Sequence, residues 1–128
     1  MDSTGRLRAL FVFVGLVLRY SLFAFTKGKT MITEIAQIDI KPGSEKDFET
    51  AVGMAQTIFK RCKGWKSFEL HRSIEKPSRY RLLIKWETLE NHTVDFREGP
   101  NFAEWRALIG PHFASPPEVE HTNTVTSF

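Results

Sequence analysis

Seven side chains, Phe48, Ala51, Val52, Ala55, Ile58, Phe59 and Cys62, recur at intervals of three and four residues, while Glu49, Gln56, Lys60 and Lys63 take the opposite side. Such a stripe describes a helix that buries one face and wets the other, so the rest of the chain has to supply a complementary apolar surface. The segment before it, Lys41-Pro42-Gly43-Ser44, stops a strand and starts this helix. Ser44 is the expected N-cap and Asp47 its capping-box partner. Lys60, Arg61 and Lys63 suit the negative end of the helix dipole, and Gly64 terminates it.

The complementary surface is a sheet. Met31 to Ile40 reads as a strand with Ile32, Ala36, Ile38 and Ile40 on one face and Thr33, Gln37 and Asp39 on the other, although Glu34 and Ile35 interrupt the alternation. Trp65 to Ile74 is a second strand, and Lys76-Pro77-Ser78 turns it into a third from Arg79 to Trp86. In that third strand Tyr80, Leu82, Ile84 and Trp86 share the face that meets the helices. A second helical region, about Thr88 to Ile109, is cut at Gly99-Pro100 and so predicts two short helices. Leu89, His92 and Phe96 precede the cut; Phe102, Trp105, Leu108 and Ile109 follow it. After Gly110-Pro111 and Ser115-Pro116-Pro117, Val119 to Val125 reads as a closing strand. The order β-α-β-β-α-β assembles, through right-handed crossovers, into an α+β ferredoxin-like fold: a four-stranded antiparallel sheet with both helices on one face. The other face is left bare and mostly polar.

A chain of 128 residues with no internal repeat leaves room for one such domain. Its net charge of +3 is unevenly placed. Residues 1–30 hold five basic residues against Asp2, a net +4, which leaves the remainder at −1. Residues 31–128 interleave acids and bases and carry no stripe that could follow a phosphate backbone, so no nucleic-acid partner is expected. Cys62 is the only cysteine, which excludes a disulfide within the chain and a thiolate metal cluster; on the helix stripe it reads as a buried inert thiol. The leader, residues 1–30, contains the apolar run Ala9 to Leu18 and, past Arg19, Tyr20 to Phe25. Three expectations stand side by side for it: a signal or anchor segment that takes the protein to or across a membrane, an extension ahead of a natural start at Met31, or an extra docked helix. Without an anchor the expected compartment is the cytoplasm.

The residues suited to chemistry are few. Trp86 closes the third strand and offers a flat apolar wall with one N–H donor, and His92 opens the following helix with a group that moves protons near neutral pH. Core packing for Trp86 and a surface or capping role for His92 are the plainer alternatives. Tyr80, Phe96, Phe102, Trp105 and Phe113 could line an aromatic pocket or simply fill the core. His71, His112 and His121 are scattered and make no ligand spacing, so no metal is expected. There is no glycine-rich phosphate loop, nucleophile elbow or dinucleotide fingerprint.

The run Gly64-Trp65, Glu69-Leu70-His71-Arg72-Ser73, Ser78-Arg79-Tyr80, Lys85-Trp86-Glu87, His92 and Asn101-Phe102 resembles the antibiotic biosynthesis monooxygenase family over about residues 31 to 127. The resemblance implies a homodimer in which two sheets meet as an α/β-barrel and a cavity between sheet and helices takes a small aromatic molecule. It also implies a monooxygenase that works without a cofactor, with O₂ as co-substrate, on a quinol or polyphenolic compound. Trp86 and His92 would be its catalytic pair and Tyr80, Phe96, Phe102, Trp105 and Phe113 its substrate wall. An isomerase or fragmentation enzyme of a small oxygenated metabolite, or a non-catalytic aromatic-binding dimer, are the alternatives. Haem-degrading relatives carry an Asn and a His near the positions of Ala36 and of Trp105 or Arg106 here; neither replacement can ligate iron, which disfavours haem.

Overall fold

In the computed structural model, residues 31–128 are described; the expectations for the leader concern residues 1–30, which lie outside them. Strand β1 (Ile32–Asp39) lies in the middle of the sheet, between β3 (Arg79–Trp86) and β4 (Glu118–Thr122), with β2 (Trp65–Arg72) on the far edge of β3. All three pairings are antiparallel. The strand order β2-β3-β1-β4 is the one the β-α-β-β-α-β reading requires.

The first helical segment differs in detail from its stripe. It forms as α1 (Glu45–Met54) and α2 (Gln56–Lys60), joined at Ala55. The Ala55 N–H meets the carbonyls of both Ala51 and Val52, and the Ile58 N–H reaches only as far as Ala55. This tightening breaks the regular ladder while Ile58 and Phe59 stay buried. The expected Ser44–Asp47 capping box is absent. Ser44 has φ −97° and ψ 3°, not the extended backbone of an N-cap, and its side chain makes no cap bond. Glu45 does the local work instead: one carboxylate oxygen accepts the Gly43 N–H at 2.8 Å and the other the Ser78 hydroxyl at 2.8 Å. Gly43 itself sits at φ +93°, which favours glycine.

The second helical region divides where Gly99-Pro100 predicts, with α3 running Pro100–Ile109. Before it, Asn91–Phe96 forms a wide helical turn whose Arg97 N–H reaches back five residues to the His92 carbonyl at 3.1 Å. Strand β2 stops at Arg72, two residues short of expectation, and leaves Ile74 exposed; β4 ends at Thr122, not Val125.

Along β1 the burial alternates without a break, and the interruption expected at Glu34 does not occur. Glu34 points inward with Ile32, Ala36 and Ile38. Parity in a strand is set by the backbone, so an acid at an inward position goes inside and has to find partners there. The core around it is aromatic. Phe59 is fully buried, with the rings of Phe68, Trp86, Phe96 and Trp105 at centroid distances of 5.0 to 6.3 Å.

Candidate active site

Sheet register fixes the first part of the site. Glu34 of β1 pairs directly with His121 of β4, and Ile84, its partner on β3, is two residues from Trp86. Direct and diagonal neighbours on one face are within reach of long side chains. The Trp86 indole N–H donates to Glu34 Oε2 at 2.8 Å.

The wide turn brings the third group. Asn91 anchors that turn: its Oδ1 accepts the Thr88 N–H at 2.9 Å and its Nδ2 donates to Asp95 at 3.1 Å. Gly64, at φ +77°, lies so close that a Cβ there would collide with the Asn91 amide. His92 follows directly and is 2% exposed. Its Nε2 is 3.3 Å from Glu34 Oε1, and its Nδ1 is 2.7 Å from Nε2 of the half-buried His121. Glu34, His92 and His121 therefore form one continuous line of hydrogen-bonding groups from the interior toward β4.

Burial sets the charges along this line. It pushes the Glu34 carboxyl up to about 7, against the opposing pull of the Trp86 hydrogen bond and the Arg97 charge. It pushes the His92 imidazole down to about 4, helped by His121 and Arg97, and lowers His121 as well. A neutral imidazole has one N–H, so the line has two self-consistent settings. With Glu34 protonated, its O–H donates to His92 Nε2 and His92 Nδ1–H donates to His121. With Glu34 ionised, every donor reverses: His121 Nε2–H donates to His92 Nδ1, and His92 Nε2–H donates to the carboxylate. Passing from the first to the second carries one proton outward through both rings.

A cavity of about 150 Å³ adjoins this line. Glu34, Ala36, Ile38, Leu82, His92, Phe96, Trp105 and Ile109 form its buried part, while Arg97, Arg106 and Val119 are exposed. A void of that size takes about one benzene-sized ring.

A model of the antibiotic biosynthesis monooxygenase family matches residues 31–108. The chain belongs to that family. A Bordetella bronchiseptica protein named for the same family is similar at 50% identity with a TM-score of 0.74, over 76% of this chain and 99% of that one. The protein YczJ of Bacillus subtilis is 39% identical over 95 residues, which are 74% of this chain and the whole of that one. SnoaB of Streptomyces nogalater, a cofactor-independent oxygenase, shares the fold at 14% identity with a TM-score of 0.64, over 76% of this chain and 95% of that one.

Within this family member the residues singled out in the sequence are distributed unequally. His92, Phe96, Phe102, Trp105 and Phe113 line the cavity. Trp86 does not; it is fully buried and stacks on His92 with ring centroids 5.6 Å apart and planes at 25°. The two rings touch each other, so the hollow lies beside the imidazole and not between the pair. Tyr80 also lies away from the cavity, donating its hydroxyl to Glu49 at 2.9 Å, with its own ionisation pushed up to about 12, chiefly by burial. Glu34, His121, Arg97 and Arg106 were not anticipated. Glu34 had a visible signal, an acid at an inward parity; the other three depend on register and on the shape of the wide turn. Among the described residues no helix is long and apolar enough to cross a membrane.

Proposed function

We propose that this protein is a cofactor-independent monooxygenase of a small phenol or hydroquinone, with Glu34 as the proton-accepting group. The observation that carries this reading is a cavity-lining carboxyl held near neutrality by burial and joined by His92 to His121. A base with a pKa near the working pH is ionised often enough to act and basic enough to take a phenolic proton. His92 serves as a positioning residue and proton carrier, because its lowered pKa keeps it neutral. Trp86 fixes the carboxylate through the indole N–H.

For a hydroquinone the steps balance as follows. Ionised Glu34 accepts a hydroxyl proton, and the electron-rich ring then forms a carbon–oxygen bond to O₂. Glu34 returns the proton to the outer oxygen, giving a ring hydroperoxide. Loss of the ring C–H proton with cleavage of the O–O bond expels water and leaves a hydroxyquinone. O₂ gains four electrons and the hydroquinone loses four. The apolar walls keep bulk water from the anion while this occurs. A second copy of the chain covering the outer sheet face, where Ile35 and Leu83 pair half-buried, completes the proposed homodimer.

Oxygen uptake with methylhydroquinone, corrected for autoxidation, tests the reading. We expect one O₂ consumed per hydroxyquinone formed, and a rate that rises as pH passes about 7 with Glu34 ionisation. Glu34→Gln keeps an acceptor for the indole N–H and removes the base, so the rate falls about 100-fold or more. Uptake that is absent in the native protein, or unchanged in Glu34→Gln, sinks the proposal.

A further inference from the structure

Two guanidiniums stand at the exposed edge of the cavity. Arg97 leaves the wide turn and Arg106 projects from α3, and each lies 6.0 Å from the centroid of the Phe102 ring, which itself lines the cavity. Among the described residues neither has a carboxylate within 4 Å, whereas Arg61, Arg72 and Arg79 are each paired with one. The buried part of the same cavity is mostly apolar, with Glu34 and His92 as its polar members. The hollow is thus polarised between its buried and exposed parts: an acid and an imidazole among apolar walls inside and, among the described residues, two unmatched cations outside.

We propose that the ligand is a single-ring aromatic carboxylic acid, its ring in the buried hollow and its carboxylate on the Arg97–Arg106 rim. The proposal rests on the oxygenase reading above and narrows it. Size limits the ring count, since a cavity of about 150 Å³ falls below the roughly 300–1,000 Å³ that drug-sized ligands occupy. Charge fixes the other end. A carboxylate presents two coplanar oxygens to the planar fork of a guanidinium, and such charge-assisted bonds are about twice as strong as neutral ones. The positive rim would also draw an anion in from solution ahead of a neutral ring. Neutralising Arg97 by the bound carboxylate has a further effect on the line of protons. Arg97 pulls the Glu34 pKa down, so its neutralisation makes Glu34 a stronger base when the right ligand is seated.

The test compares ligands of matched shape under nitrogen, where no oxidation occurs, by quenching of tryptophan fluorescence; Trp105 lines the cavity. The probes are 2,5-dihydroxybenzoate and the neutral 2,5-dihydroxybenzamide. We expect the acid to bind about tenfold tighter than the amide. In the double variant R97Q/R106Q the preference should fall below about twofold while amide binding is retained. Both side chains are exposed, and circular dichroism verifies that the variant is folded. Phenyl phosphate and 1,4-dihydroxy-2-naphthoate complete the panel, and both should bind more weakly than the benzoate. Equal affinity for acid and amide, a preference that survives the double variant, or tighter binding of the phosphate or the naphthoate overturns the proposal. The two readings fail separately. Preference for the acid with no oxygen uptake keeps the anion site and removes the oxygenase; oxidation of acid and amide with equal kcat/KM keeps the oxygenase and removes the anion site.

Discussion

Strand β1 carries two acids, Glu34 and Asp39, five residues apart and on opposite faces of the sheet. Asp39 is half exposed and takes the Arg79 guanidinium in a two-pronged contact at 2.8 and 3.2 Å; that hydrogen bond holds its carboxyl below the usual range. Glu34 is buried, has among the described residues no cation within salt-bridge distance except the weakly basic His92, and is pushed up to about 7. The same functional group on one strand thus becomes a permanent charge on one face and a titratable proton carrier on the other. Backbone parity decides which environment each meets, and the environment decides the protonation state.

The strongest way to break the comparison is to move the inner acid across the sheet without changing composition. The double variant Glu34→Ile with Ile35→Glu places the carboxylate on the outer face. On the proposed function, oxygen uptake with methylhydroquinone falls by about 100-fold or more, because the carboxylate has left the cavity and His92, lowered to about 4, is too weak a base to replace it. The Trp86 N–H also loses its acceptor, at about 1–3 kcal/mol for an unsatisfied buried donor, partly offset by burying the isoleucine. Retained activity would show that the position of the acid is immaterial and would end the reading built on it.

Next in size is the pH dependence of stability, in which Glu34 and His92 oppose each other. The raised Glu34 pKa means that the native state holds a proton that the unfolded chain releases from about pH 4.5 upward. Its contribution is fully present below 4.5 and is lost as pH rises through about 7, a difference on the order of 3 kcal/mol. The lowered His92 pKa works the other way: its contribution is present above 6.5 and is lost as pH falls through about 4. Between about pH 4.5 and 6.5 the pair binds one proton in both states, on Glu34 when folded and on His92 when unfolded, so the native protein shows little slope from it. Single variants uncover the two halves. In urea unfolding from pH 4 to 8, His92→Gln should lose stability as pH rises toward 7, and Glu34→Gln should gain stability as pH rises from 4 to 6.5. The same sign in both variants would contradict the assignment of the proton.

How much of this was legible beforehand follows from the same physics. The α+β order, the inward face of β3 and the helix division at Gly99-Pro100 were readable because period-two and period-3.6 patterns and proline geometry are local properties. The family motif pointed to His92, which lines the cavity, and to Trp86, which only supports it. Glu34 was read as an interruption of the strand because burying an acid is costly, and the pattern along one strand does not reveal partners on two others. His121 became legible only through the β1–β4 register, and Arg97 and Arg106 only through the wide turn and α3. The capping box failed for a related reason: Glu45 found a long-range partner in Ser78, thirty-three residues away.

The smallest effect is expected at the outer acid, and its sign separates the two carboxyls most cleanly. Asp39→Asn removes one member of a largely solvated pair, and such pairs contribute little because water and salt screen them. The melting temperature at neutral pH should drop only slightly, and the drop should shrink further in 0.5 M salt. Oxygen uptake should be unaffected, since Asp39 faces away from the cavity. The difference from the native protein should vanish on acidification below pH 4: a lowered carboxyl pKa contributes stability above its unfolded value of 3.8 and loses it as the folded group is protonated. Glu34 behaves oppositely, contributing most in acid. If Asp39→Asn instead lowered stability equally at pH 3 and pH 7, the Asp39–Arg79 charge would not be the source, and the contrast between the two faces of β1 would rest on packing alone.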